Sequence, residues 1–206
     1  MSNGELAIVF GAIALLIGAA ILIGGYYSGQ QEAAWTRFAD QHGLTCDVRR
    51  FLGMIMTLTV SGNYRGRATT LGTFTRHYGR VVIAYTYVET ALQSANPVGD
   101  LKIAPQGVVS TLRHWLGFND MLIGDPASDE RFFFRSSDES ICRRLFASLA
   151  LRQQRSALRK FDQIEIKKQT VKIQQSGVEK DTDYLKQLFD FVTALADEFE
   201  RASKAS

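Results

Sequence analysis

The chain has 206 residues, of which 46% are hydrophobic and 22% charged, and its formal net charge is +3. These are the proportions of a globular protein long enough to bury a core, so they exclude a largely disordered chain. The small positive charge, without a recognisable nucleic-acid-binding module, gives no support for binding of nucleic acid.

The N-terminal part of the sequence contains a long apolar segment, residues 5–27, after a short stretch, 1–4, that we expect to be disordered. From Leu6 onward the segment carries neither charge nor proline. A helix of about 20 such residues crosses the hydrocarbon core of a bilayer. A cleaved signal peptide is the alternative, but signal peptides begin with basic residues and have a shorter apolar stretch. The segment therefore predicts one transmembrane helix.

The distribution of basic residues predicts the orientation of this helix. No lysine or arginine precedes it, whereas Arg37, Arg49 and Arg50 follow it. Because basic residues favour the cytoplasmic side, we expect the N-terminus outside and the C-terminal domain in the cytosol. In that compartment Cys46 and Cys142 are expected to remain reduced.

Two groups of residues in and near the predicted span suggest contacts within the membrane. Small residues recur at spacings that let helix backbones approach closely: Gly11, Ala14, Gly18, Ala20, Gly24, Gly25 and Gly29. They predict a packing face for a second copy or another membrane protein, although such residues are also common in helices without a partner. Aromatic residues at the C-terminal end are typical of a membrane interface: Tyr26, Tyr27 and Trp35.

Residues 31–42 have the pattern of an amphipathic helix with Trp35 and Phe38 on its apolar face, and Gly43 suits the C-terminal cap. Because this helix follows the predicted span so closely, we place it at the level of the lipid headgroups. Trp35 and Phe38 could contact lipid or cover the domain core, and the core is the interpretation we favour.

Alternating or continuous apolar runs predict strands over most of the remaining chain: 54–60, 67–74, 81–88, 101–103, 131–134, 164–166 and 171–173. Turn residues at 64–67, 77–79 and 167–169 predict antiparallel hairpins. The run 81–88 is apolar on both faces, so we place it centrally in the sheet.

Further helices are predicted at 108–116, after a capping box formed by Ser136 and Glu139, and after Asp181. The sequence therefore predicts an α+β protein in which one transmembrane helix precedes a mainly antiparallel sheet packed with helices. The domain limits expected are 28–201, followed by a flexible tail at 202–206.

No motif for a catalytic, metal or nucleotide site is present. His42, His77 and His114 have no second ligand at metal-binding spacing. The acidic neighbourhood around Asp125 and Asp129 lacks an EF-hand pattern and suits turns and helix starts. We therefore predict a non-enzyme without metal or cofactor, while a hydrolase whose site is assembled across the fold stays as an alternative.

A group of basic residues is a candidate for contact with anionic lipid: Arg143, Arg144, Arg152, Arg155, Arg159, Lys160, Lys167 and Lys168. Near the cytoplasmic leaflet each such residue contributes about 1 kcal/mol of attraction. The competing interpretation is a solvated helix face balanced by the acidic last helix.

The ordered motifs of the chain include Trp35-x-x-Phe38-Ala39, Gly62-x-Tyr64-x-Gly66-Arg67, Tyr85-Thr86-x-Val88 and Gly124-Asp125-Pro126. In this order they resemble a group of uncharacterised bacterial single-pass membrane proteins with a cytosolic α+β domain. The resemblance covers 31–200 and implies a single domain, but no activity, cofactor or partner.

These observations favour a membrane-anchored, non-enzymatic binding protein, acting as an accessory, scaffold or assembly subunit of a membrane complex. Its expected partners are membrane lipid and, through the span, a membrane protein or a second copy. The first alternative is a domain at the cytoplasmic leaflet that binds anionic lipid or a small ligand, and the second is the hydrolase.

Overall fold

A computed structural model describes residues 28–51, 54–94, 100–105, 130–148, 158–159 and 161–204. Within these ranges no helix is both long and apolar enough to span a membrane. The predicted span 5–27 and the predicted helix 108–116 lie outside them. Cys46 and Cys142 carry thiols rather than a disulfide, as predicted.

Eight strands form one sheet in the described residues, and each pairs antiparallel with its neighbours. They are β1 (Thr45–Phe51), β2 (Met54–Tyr64), β3 (Arg67–Tyr78), β4 (Val81–Ala91), β5 (Leu101–Pro105), β6 (Phe132–Ser136), β7 (Gln163–Lys167) and β8 (Thr170–Ser176). Their order across the sheet is β1-β2-β3-β4-β8-β7-β5-β6. The predicted antiparallel sheet is confirmed, and β4 occupies the central position expected for it.

Three helices are described: α1 (28–42), α2 (Glu139–Ala147) and α3 (Thr182–Lys204). They pack against one face of the sheet, where buried strand residues such as Leu71, Val88 and Ile173 meet apolar helix residues such as Phe38 and Leu188 in one core. The other face, which we call the outer face, holds the alternate residues of the same strands, because side chains on a strand alternate in direction.

Local capping explains where the helices begin. Asp181 accepts hydrogen bonds from the amides of Asp183 and Tyr184 at 3.0 and 3.2 Å, so it starts α3 as predicted. The capping box predicted at Ser136 is wrong, because Asp138 is the N-cap of α2. The Ser136 hydroxyl instead bonds the backbone of Asp138 and holds the turn that precedes the helix.

Two boundaries differ from the sequence predictions. Strand β1 was not predicted, because its register shifts between Arg49 and Arg50 and interrupts the alternation that would have revealed it. The flexible tail predicted from residue 202 begins too early, because α3 continues to Lys204 and Ala202 is buried in the core.

The sheet has two ends, defined by the hairpins. The β3–β4 turn lies at what we call the upper end, and the β2–β3 and β7–β8 turns lie at the lower end. Helix α1 begins at the upper end, since Glu32 pairs with Arg50 near the end of β1. The side-chain oxygen of Gln30 also accepts a bond from Lys180 just after β8, at 3.3 Å. Helix α1 then runs to the lower end, where β1 starts.

Candidate functional site

The most buried charge in the described residues is Arg67, the first residue of β3, whose side chain is only 3% exposed. Its guanidinium donates to Asp197 at 2.6 and 2.9 Å and to Glu200 at 2.8 and 3.3 Å, and also to the carbonyl of Ala91 at 3.0 Å. Strand alternation puts Arg67 in phase with core residue Leu71. The cluster therefore joins the start of β3, the end of β4 and α3 through a buried arginine.

Glu200 has further partners in the chain that follows β4. It accepts hydrogen bonds from the amides of Gln93 and Ser94, the latter at 3.1 Å. Burial raises the pKa of the Glu200 carboxyl, but bonds from Arg67 and from these amides outweigh it, so the pKa lies below its ordinary value. Glu200 is thus held as an anion whose oxygens are occupied by donors, which suits a structural clamp rather than an acid or base.

A second polar cluster lies around Asp190 on α3. The hydroxyl of Tyr64 donates to it at 2.6 Å, and the side chains of Arg65 and Lys186 pair with it at 2.9 and 2.7 Å. Burial and the bond to Asp190 raise the pKa of Tyr64. Burial raises the pKa of Asp190 as well, but bonds from Lys186 and Tyr64 outweigh it and lower that pKa overall. Tyr64 therefore stays protonated and Asp190 stays ionised.

His42, at the end of α1, contacts the second cluster through its ring. Its centroid lies 4.6 Å from Phe38 and 5.7 Å from Tyr64. Burial lowers the pKa of His42, and the nearby charge of Lys186 lowers it further. The neutral ring packs among aromatic side chains, and this packing is a structural role.

The described residues contain no group of three side chains that could hold a metal ion. Burial raises the pKa of the Cys46 thiol, which disfavours the reactive thiolate. Asp125 and Asp129, which mark the acidic neighbourhood of the sequence, lie outside the described ranges.

The outer face of the sheet carries a different arrangement, an aromatic strip formed by Phe74, Arg76, Tyr85, Tyr87 and Lys172. Phe74 and Tyr85 stack with ring centroids 5.2 Å apart. The guanidinium carbon of Arg76 lies 5.2 and 5.3 Å from those centroids, and Lys172 Nζ lies 4.1 Å from the centroid of Tyr87. Such cation–π contacts each contribute about 0.5–1 kcal/mol at exposed sites. The strip therefore stiffens the long β3–β4 ribbon.

Gly72 makes room for one ring of the aromatic strip. A Cβ atom at this position would lie 2.6 Å from the Tyr87 hydroxyl oxygen and 2.7 Å from two of its ring carbons. We expect Gly72→Ala to lower the free energy of unfolding by about 1–3 kcal/mol, the usual cost of overpacking. Denaturant unfolding followed by circular dichroism measures it.

The matched control for Gly72→Ala is the same substitution in a Tyr87→Ala background. Without the ring the added methyl has space, so the cost should disappear. An equal cost in both backgrounds would show that the glycine is required by the backbone and not by Tyr87.

A shallow groove continues the outer face toward the lower end. It has a volume of about 370 Å³ and its polar lining includes Ser61, Asn63, Thr70, Glu89 and Thr170. Its lining combines glycine and alanine with short polar side chains and one carboxylate, Glu89, and identifies no particular ligand.

The basic residues predicted to contact lipid are distributed over both ends of the sheet. Arg143 pairs with Glu139 on α2, and Arg159 pairs with Asp181 at 2.6 Å near the upper end. Lys167 begins the β7–β8 turn at the lower end. The remaining described members are Arg144 on α2 and Lys168 in that turn, whereas Arg152, Arg155 and Lys160 lie outside the described ranges. The described members therefore do not form one continuous basic face.

Trp35 is fully buried, and its indole N–H donates to the carbonyl of Glu179 at 2.8 Å. Its prediction as an interfacial aromatic is therefore wrong, and the core interpretation is correct. Gly29 is exposed on α1. It lines a surface depression of about 520 Å³ together with residues that include Glu32 and Thr36. The other predicted membrane residues lie outside the described ranges: Gly11, Ala14, Gly18, Ala20, Gly24, Gly25, Tyr26 and Tyr27.

Sequence reasoning missed the Arg67 cluster and the aromatic strip. A signal for the first was present, because Arg67 alternates in phase with Thr69 and Leu71, which are also buried. The strip could not be found in the same way, since its rings meet only in the register that pairs Phe74 with Tyr85.

Comparison with known proteins gives a fold and no family. No protein family and no curated protein matches the chain. Its structure is similar to the crystal structure of the mycobacterial trehalose monomycolate transport factor A, TtfA, with a TM-score of 0.51 and 12% sequence identity. The similarity covers 84% of this chain and 93% of that chain. At this identity the likeness shows a shared α+β fold alone.

Proposed function

We propose that this chain is a membrane-anchored, non-enzymatic accessory protein that scaffolds or assembles a membrane protein complex. The observation that carries the proposal is the attachment of α1. This helix directly follows the apolar segment 5–27, and Trp35 fastens it to the core and to the chain before α3. A span at 5–27 would therefore hold the upper end of the sheet close to the bilayer.

The fold likeness supports an accessory role. TtfA is named as a transport factor, and its likeness covers most of both chains. The two polar clusters of the present chain are satisfied ion-pair networks, and their residues brace the fold instead of offering a free base or nucleophile. We infer a protein that positions others, and the name of TtfA is consistent with a role of this kind in transport.

The partners proposed are membrane lipid around 5–27 and a membrane protein or second copy on the small-residue face of that segment. Gly29 lies on the exposed side of α1, so the packing face can continue into the described domain. The N-terminus is proposed to lie outside and the domain in the cytosol, following the basic-residue bias.

The test uses the full chain, tagged at its C-terminus, in native membranes. We expect it to resist alkaline carbonate extraction and to migrate in mild detergent as a complex larger than the monomer. Gly18→Ile should reduce the complex, because it removes close backbone approach. Ala19→Ile adds similar volume about 100° around the helix and is the matched control.

Two outcomes contradict the proposal. Extraction of the full chain by carbonate would remove the membrane anchor. A carbonate-resistant chain that remains monomeric after cross-linking in native membranes would retain the anchor but remove the scaffold role.

A further inference from the structure

The large apolar side chains that are exposed among the described residues are gathered at one place. Tyr78, Val81 and Val82 are 42%, 57% and 55% exposed, and they flank the turn between β3 and β4. We call these three residues the hairpin tip. Single exposed apolar residues are ordinary, but a cluster at one point of the surface indicates a contact.

The hairpin tip is apolar on both faces of its ribbon. Tyr78 pairs directly with Val81, so these two side chains share one face, whereas Val82 pairs with His77 and points to the other. A tip that served only to cover the domain would be apolar on one face. An apolar wedge on both faces suits insertion into a surrounding apolar phase.

The hairpin tip also projects beyond the neighbouring strand. The amide of Gly177, just after β8, donates to the carbonyl of Ala84 at 2.8 Å. Residues 81–83 extend past this bond, which at the usual rise per residue amounts to about 10 Å. The ribbon therefore reaches outward from the upper end of the sheet.

The location of the tip connects it with the proposed anchor. The upper end is also where α1 begins, as the contacts of Glu32 and Gln30 show. Arg80 lies in the turn of the tip and Arg76 two residues before Tyr78, and the charge of Asp162 also acts on Tyr78. A leaflet crossed at 5–27 would face this end, and basic residues beside apolar ones favour an anionic leaflet.

We propose that the hairpin tip inserts into the interfacial layer of the leaflet that α1 approaches and forms a second membrane contact beside the span. The inference rests on the membrane anchoring proposed above. Two contacts at separate points of the upper end fix the tilt of the domain, whereas a single helix leaves it free to rotate about the connection. In this proposal the β3–β4 ribbon contacts the lipid, and the basic residues around 143–168 do not.

The test places the full chain in nanodiscs of phosphatidylcholine and phosphatidylglycerol. The fluorophore NBD is attached to Val82→Cys in a Cys46→Ala background, in which the remaining Cys142 is fully buried. Lys167→Cys, exposed at the lower end, is the matched control. Lipids carrying a doxyl quencher should quench the label at Val82 and shift its emission to the blue, and leave the label at Lys167 unchanged.

A second variant separates insertion from mere proximity. Substituting both Tyr78 and Val81 by serine leaves the core intact, because both side chains are exposed, and should abolish the quenching at Val82. Pure phosphatidylcholine nanodiscs should weaken the quenching, because the attraction of Arg76 and Arg80 to anionic lipid is lost.

The remaining outcomes overturn specific claims. If the chain stays in the nanodisc but the label at Val82 is not quenched, the tip does not insert and the anchor stands. If the chain does not enter nanodiscs, the membrane anchor itself fails. Cross-linking between Val82→Cys residues of two copies, without quenching, would assign the tip to a dimer contact and overturn the proposal.

Discussion

Arg67→Met is expected to lower the free energy of unfolding by about 3–5 kcal/mol, the typical cost of removing one partner of a buried ion pair. Methionine keeps the apolar length of the side chain but supplies no donor. Glu200, whose side chain is only 10% exposed, would then lose its principal counter-charge, and the carbonyl of Ala91 would lose its donor. Denaturant unfolding of the full chain in mild detergent, followed by circular dichroism, measures the effect.

Arg65→Met is the matched control, because Arg65 lies in the adjacent turn and also pairs with an α3 carboxylate. Its side chain is 55% exposed, so the expected loss is only about 0–1 kcal/mol. Similar losses for both variants would show that burial of Arg67 does not determine its contribution.

The effect of Arg67→Met should also depend on pH. In the wild type the pKa of Glu200 lies below its ordinary value of 4.5, so its contribution is present above that pH and lost as pH falls through the lower folded pKa. Protonation of Glu200 removes the unpaired charge in the variant. The difference between the two proteins should therefore shrink on acidification below pH 4.5, and a constant difference would contradict this explanation.

Trp35→Ala is expected to lower the free energy of unfolding by about 3–5 kcal/mol, as for other large aromatic side chains in a core. The indole is fully buried and belongs to the cluster that joins α1 with Phe189 of α3. The loss should be accompanied by faster proteolysis of α1, because this helix is the link to the proposed anchor. Denaturant unfolding and limited proteolysis provide the two measurements.

Two further variants separate the contributions at this position. Trp35→Phe keeps most of the packing but removes the donor to the carbonyl of Glu179, so about 1–3 kcal/mol should be lost. Arg37→Ala changes an exposed residue of the same helix and should stay within about 0.5 kcal/mol of the wild type. A tolerated Trp35→Ala would mean that α1 is held by its surface ion pairs instead.

Local structure could be predicted from the sequence where residues close together in the chain determine it. Turn glycines at 66 and 79 have φ values of +83° and +61°, which glycine adopts without strain, so the hairpins were predicted correctly. The last helix was predicted from Asp181, which caps it in the structure. Strand β1 was missed because the irregularity between Arg49 and Arg50 breaks the alternation on which such a prediction depends.

The candidate site was harder to predict because it joins distant parts of the chain. In the sequence Arg67 ends the predicted turn 64–67 and Glu200 belongs to the acidic last helix, whereas in the fold they bond each other. The sequence around each of these two residues does not indicate which residue it pairs with. The basic group around residues 143–168 shows the opposite case, since closeness in sequence did not place its described members on one face.

The hairpin turns, the amphipathic helices and the α+β class of this protein can be predicted from its sequence alone. These follow from periodicity, capping and the special conformations of glycine, which act over a few residues. The position of β8 between β4 and β7, the burial of Trp35 and the projection of the hairpin tip from the end where α1 begins become visible in the folded chain. Pairing of strands far apart in the chain and burial against α3 decide these features, and neither leaves a local pattern.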